Sequence, residues 1–170
     1  MNRLNFNLPM AQAWHEGRKT VTRRPIKDED FQQLSDYDVK NFLERDVIKP
    51  KYKKGEKVFI AEPWGNVSSN KESAKYVYGA DYDGSLFKDL PETMPEEAAR
   101  SWAIIKDIRV ERLQDMDKED LQAEGFGPLY DYGDIYVDFA ELWDSFYADT
   151  PYAWDNNPYV WVYQLQKEDK

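Results

Sequence analysis

Gly17-Arg18-Lys19-Thr20-Val21-Thr22-Arg23-Arg24, closed by Pro25, is the stretch on which the reading of this 170-residue chain turns. Its β-branched Thr20, Val21 and Thr22 favour a strand, and Pro25 suits the strand's end. Upstream, Leu4, Phe6 and Leu8 alternate with Asn5 and Asn7, the period-two pattern of a half-buried strand over Leu4 to Leu8. Pro9 then fits the first turn of a helix over Met10 to Glu16, with Met10, Ala13 and Trp14 at helical spacing. Gly17 supplies the left-handed stop. Four cations and two hydroxyls therefore fall within eight residues, immediately after a helix ends.

Downstream, Phe31, Leu34, Val39, Phe42 and Leu43 sit among charges and predict a helical decoration over about 28–50. The lysine-rich turn around Gly55 leads into a strand over Val58 to Ala61, which Pro63 and Gly65 interrupt. Tyr76 to Ala80 reads as a strand, about 81–100 as a loop-rich excursion, and Trp102 to Leu113 as a long strand. Asp117 can cap a short helix, Lys118 to Glu124, that Gly125 ends. Residues 127–137 read as loop, Phe139 to Tyr147 as a helix, and Tyr159 to Leu165 as a final strand. Short strands separated by short helices, without regular βαβ units, predict a single α+β domain over 1–170 built around a curled sheet or small barrel.

Composition narrows the chemistry. With 41% apolar and 15% aromatic residues the chain can build a core. It has no cysteine, so disulfides, thiolate metal sites and cysteine nucleophiles are excluded. His15 is the single histidine, which excludes two-histidine metal sites; no metal and no cofactor are expected. No apolar run is long enough to span a bilayer and no signal peptide is evident, so a cytoplasmic location is expected, without a membrane partner. The net charge of −10 opposes nonspecific duplex binding. That charge is unevenly spread, however. Residues 1–60 hold 13 Lys or Arg against 9 Asp or Glu, and residues 61–170 hold 10 against 24. Anion contacts are therefore expected in the first third.

The segment 17–24 has two readings. In one, its cations form a solvated strand face and its threonines are simply β-formers. In the other, alternation puts Thr20, Thr22 and Arg24 on one face, so that a hydroxyl and a guanidinium share a pocket. Lys19 has the opposite parity but lies at the turn. A threonine hydroxyl becomes nucleophilic when a base takes its proton, and a lysine of lowered pKa can be that base. Arg18 and Arg23 would add to the cationic surroundings, and a carboxylic acid elsewhere would protonate a leaving group. Spacing alone leaves that carboxylate open.

GRKTVTRR resembles the GxKxxxxR signature of the ASCH domain, a small β-barrel related in fold to the PUA RNA-binding domain. KKGEKVFIAEPW, VERLQDMDKEDLQAEGF, LWDSF and WDNNPYVWVYQL resemble further pieces of the longer ASCH proteins of phages and prophages, in the same order. The resemblance implies a PUA-like barrel with peripheral helices and a loop-rich insertion. It also implies either RNA binding or, as in small bacterial members, an amidohydrolase that removes the acetyl group of N4-acetylcytidine. Carried over, Thr22 would attack the acyl carbon, Lys19 would activate it, Glu124 would serve the leaving amine and Arg24 would steady the site. Arg18, Arg23, Glu62 and Trp64 are the ligand-binding candidates, with Trp64 able to stack on a base.

The chain departs from the family at 93–100, TMPEEAAR, where longer members show a basic and aromatic stretch, and at Ala61, where an arginine is common. Both changes lower positive potential. The expected partners are a small nucleoside, or RNA or single-stranded nucleic acid as the noncatalytic alternative. A third reading is an acidic phage protein that occupies a host protein by mimicking nucleic acid, in the host cytoplasm.

Overall fold

Asn7 decides where the first strand yields to the first helix. Its side-chain oxygen accepts the Met10 N–H at 3.1 Å, so the helix α1 begins at Leu8 and runs Leu8–His15, while the strand β1 is only Arg3–Asn5. The computed structural model describes residues 1–45, 47–67, 76–82, 90–127 and 132–168. After Gly17, at φ 78°, comes β2, Val21–Pro25. The helices α2, Glu29–Gln32, and α3, Asp36–Glu44, follow, capped by Asp28 and Ser35. Then come β3, Lys57–Ala61, and a two-stranded unit of β4, Trp64–Asn66, with β5, Tyr76–Tyr78. Pro63 thus separates β3 from β4 rather than ending strand structure, and Gly65 lies inside β4, paired with Val77. The long β6, Trp102–Arg112, precedes α4, Lys118–Ala123, α5, Tyr132–Tyr147, and β7, Tyr159–Glu168. Part of the expected 81–100 excursion, 83–89, lies outside the described residues; the rest carries short 3-10 turns at Pro91–Thr93 and Glu96–Ala98.

The main sheet has the order β1-β3-β6-β7-β2, with β1 and β3 parallel and the other pairs antiparallel. The β6–β7 ladder shifts register between Ile105 and Asp107, the kind of irregularity that bends and twists a sheet. One face packs Leu4, Ile60, Ala103, Ile105, Tyr163 and Leu165 with Phe6 and Trp14. Trp14 is core: its Nε1 donates to Ser101 Oγ at 3.1 Å, and its ring meets Phe6 edge-on. The opposite face packs Val21, Val160 and Val162 with Leu121 of α4 and Ile135, Phe139 and Trp143 of α5.

Two expectations require correction. α5 begins at Tyr132, not Phe139, because Ile135, Phe139 and Trp143 recur every four residues and bury one helical stripe against the sheet. That tertiary burial overrides the weak helix propensity of glycine and aspartate in 132–138. The fold is α+β with short helices, but no closed barrel is formed among the described residues: no backbone ladder joins the outer strands β1 and β2. A side chain spans that seam instead. Arg24 of β2 donates from Nη2 to the Asn5 carbonyl of β1 at 2.9 Å and from Nη1 to the Arg23 carbonyl at 3.0 Å.

Candidate functional site at the sheet seam

Alternation along β2 sets the two sides of the site. Thr22 pairs with Tyr163 and faces the Leu4–Phe6–Trp14 core; Arg23 pairs with Val162 and faces α4 and α5. Lys19 arrives from the turn after α1, where the Arg18 and Lys19 amides both donate to the Ala13 carbonyl. The next amide, Thr20, donates to the Ala123 carbonyl at 2.7 Å, which ties this turn to the end of α4. Glu124 is the C-terminal cap of α4, and Gly125 turns the chain at φ 106°. A Cβ on Gly125 would stand 2.6 Å from Ala13 Cβ and 3.3 Å from Lys19 Cβ, so only glycine allows this approach.

The result is a buried charge chain. Lys19 Nζ, fully buried, donates to Glu124 Oε2 at 2.5 Å and to the Glu124 carbonyl at 3.0 Å, and lies 5.3 Å over the Phe6 ring. Arg23 is equally buried and reaches Glu124 Oε1 at 3.1 Å, Glu111 at 2.6 Å and Asp120 at 2.9 Å. Arg109 closes the chain at the surface on Glu111 and Asp120. Three cations thus face three carboxylates. Burial lowers the Lys19 pKa despite the opposing pull of Glu124, and the Arg24 and Arg23 charges lower it further. Burial also works against charge on Arg23, but Glu124 and Glu111 outweigh it and raise its pKa.

Glu124, Arg23 and Arg24 form part of the wall of a cavity of about 450 Å³ that opens along the seam. Asn5 and Asn7 contribute amides to the wall, and Trp143 and Tyr147 of α5 contribute aromatic surface. Such a volume and a mostly apolar wall with a few polar groups suit a small organic ligand. Thr22 is fully buried and its Oγ1 has no hydrogen-bond partner, so the Lys19–Thr22 contact implied by the family resemblance is not made in this arrangement. Lys19 and Glu124 do meet, and it is Arg23 rather than Arg24 that binds Glu124.

The other candidates divide. Arg18 lies beside the group, donating to the Gly125 carbonyl and pairing with Glu16. Glu62 and Trp64 do not line the cavity. Glu62 is buried in a separate cluster, taking two bonds of 2.9 Å from Arg100 and one of 2.9 Å with His15. Those bonds hold its carboxyl below the ordinary value although burial alone would raise it. Trp64 leans on Tyr76 and donates from Nε1 to Thr93 Oγ1. Among the described residues no group of three or more His, Cys, Asp or Glu is placed to hold a metal ion. No helix among them is long and apolar enough to cross a membrane.

Sequence reasoning missed Asn5, Asn7, Trp143 and Tyr147 as cavity wall and Glu111 and Asp120 as Arg23 partners. Asp120 and Glu124, four residues apart, share a helix face, and Arg109 and Glu111 share a strand face; those spacings were the available signal.

No protein-family model matches the chain, and no curated protein does. Among solved structures it is similar to the crystal structure of protein EF3133 from Enterococcus faecalis V583, of family DUF984. The TM-score is 0.48 and the identity 12%, over 91% of this chain. The chain spans 64% of the length of that solved chain.

Proposed function

We propose that the protein is a PUA-like ASCH domain whose seam cavity takes a nucleoside and hydrolyses an N-acylated base such as N4-acetylcytidine. The observation that carries this reading is the buried Lys19–Glu124 pair, whose Glu124 reaches the wall of a nucleoside-sized cavity while Lys19, its pKa lowered, lies behind it. The Asn5 side-chain oxygen, which has no partner among the described residues, and the Asn7 amide nitrogen are the polar groups suited to a base edge, and the partly exposed Tyr147 adds aromatic surface. In the reaction, Lys19, once its own proton has passed to Glu124, takes the Thr22 hydroxyl proton as Oγ1 bonds the acyl carbon. The C–N bond breaks, the amine leaves with a proton routed through Glu124, and water releases acetate from the threonine ester. Arg24 steadies the site from its edge, where its charge faces the cavity. Thr22 Oγ1 is fully buried, unpartnered among the described residues and outside the cavity lining, so this step requires a rearrangement that brings Thr22, Lys19 and the acyl carbon together.

A second reading, noncatalytic binding of RNA or a single strand, has one specific observation in its favour: Lys19 spends its donors on Glu124 and none on Thr22. Chromatographic hydrolysis of N4-acetylcytidine separates the two, using wild type and Thr22→Ala, both verified as folded by circular dichroism. Turnover lost with Thr22 is the expected result. Absence of turnover by folded wild type overturns this substrate assignment.

A further inference from the structure

A second cavity, of about 500 Å³, adjoins the first and shares Arg24, Lys27 and Tyr147 with it. Its chemistry is different. Arg24, Lys27, Lys49 and Lys51 line it, and among the described residues the one lining carboxylate is Asp28, which already accepts the Phe31 amide at 2.9 Å as the cap of α2. Even with Lys49 set aside, Arg24, Lys27 and Lys51 around one concavity are a local excess in a chain of net charge −10. Nothing in the core requires it.

The cations differ in how they are held. Arg24 is fixed by its two backbone carbonyl bonds and makes no ion pair among the described residues, so its positive charge is positioned but uncompensated. Lys27 is exposed, and among the described residues it too makes no ion pair. The Lys51 ammonium lies 5.1 Å over the Tyr52 ring, an attraction that leaves its charge intact. Tyr163 lines the same cavity, accepts the Lys51 amide at 3.2 Å and has its phenol pushed up to about 12 by burial, so it stays neutral. A guanidinium in a fixed orientation with flexible ammonium groups beside it is the arrangement that receives a phosphate ester.

We infer that this second cavity is a phosphate subsite, so that the ligand of the joined cavities is a nucleotide: base in the seam cavity, phosphate ester among Arg24, Lys27 and Lys51. This rests on the nucleoside reading of the seam cavity and extends it. A free nucleotide and the 5′ end of a strand carry the same phosphate chemistry, and length dependence separates them.

The test is titration calorimetry in phosphate-free buffer with cytidine, cytidine 5′-monophosphate and ribose 5-phosphate, on wild type and on the Lys27→Ala, Lys51→Ala double variant. Both substituted side chains are exposed, so the variant retains its fold. The expected result is at least tenfold tighter binding of the monophosphate than of cytidine, a gap that narrows in the double variant and with added salt. Equal affinity for cytidine and its monophosphate overturns the phosphate subsite while leaving the nucleoside cavity standing. Binding of ribose 5-phosphate, sensitive to the double variant, without binding of cytidine supports the subsite and overturns the base reading. Absence of binding by all three overturns both. A 5′-phosphorylated cytidine trinucleotide that binds as well as the monophosphate assigns the site to a strand end, and one that is excluded assigns it to a free nucleotide.

Discussion

Replacing Glu124 by Gln removes the one carboxylate shared by two fully buried cations while keeping its volume. Arg23 retains Glu111 and Asp120, whereas Lys19 retains only the Glu124 carbonyl and the Phe6 ring. Most of the loss therefore falls on Lys19. Removing one partner of a buried pair costs about 3–5 kcal/mol, and release of the Lys19 proton caps the loss toward the lower end. At about 2 kcal/mol per molar urea, a loss of about 3 kcal/mol moves the unfolding midpoint down by about 1.5 M.

The pH dependence carries a sign. With the folded-state pKa of Lys19 lowered below its ordinary 10.5, the unfolded chain binds more protons than the folded one between the folded-state pKa and 10.5, so stability rises with pH across that window. Without Glu124 that pKa falls further, so the rise begins at lower pH than in wild type, with a limiting slope of about 1.4 kcal/mol per pH unit. Urea unfolding of Glu124→Gln at pH 7, 8 and 9, followed by far-UV circular dichroism, measures both quantities. A loss under about 1 kcal/mol at pH 7, or a pH dependence identical to that of wild type, refutes the assignment of Lys19 and Glu124 as a tightly coupled buried pair.

Thr22→Val keeps the shape of a fully buried side chain and removes a hydroxyl without a partner; calorimetric melting should show a gain of about 1 kcal/mol while N4-acetylcytidine turnover disappears. Gly125→Ala combines a strained positive φ with a Cβ clash against Ala13, and chemical denaturation should report a loss of about 2–5 kcal/mol. Glu62, with its pKa held below the ordinary 4.5, contributes stability above that value that is lost as pH falls through the folded-state pKa. In acid titration followed by tryptophan fluorescence, Glu62→Gln should start less stable and lose less below pH 4.5; a curve parallel to wild type would contradict this.

Local signals in the chain determined most of its elements. The Asn7 and Asp117 caps, the stop at Gly17 and the turn at Gly55 act on amides or dihedrals a few residues away, so they are readable from neighbours in sequence. The strand after Gly17 and the exclusion of sulfur chemistry were legible for the same reason: both follow from residue type and spacing. Lys19, Arg23 and Glu124 could be singled out by type and by family resemblance.

Tertiary structure alone decided which of them meet. Lys19 and Glu124 lie 105 residues apart and come together because the turn after α1 and the end of α4 share backbone hydrogen bonds and a glycine-sized gap. Arg23 takes the carboxylates because β2 turns it toward α4, while Arg24, on the other face, spans the seam. The early start of α5 has the same cause: burial of Ile135 against a sheet formed by distant strands is a long-range term that no local propensity contains.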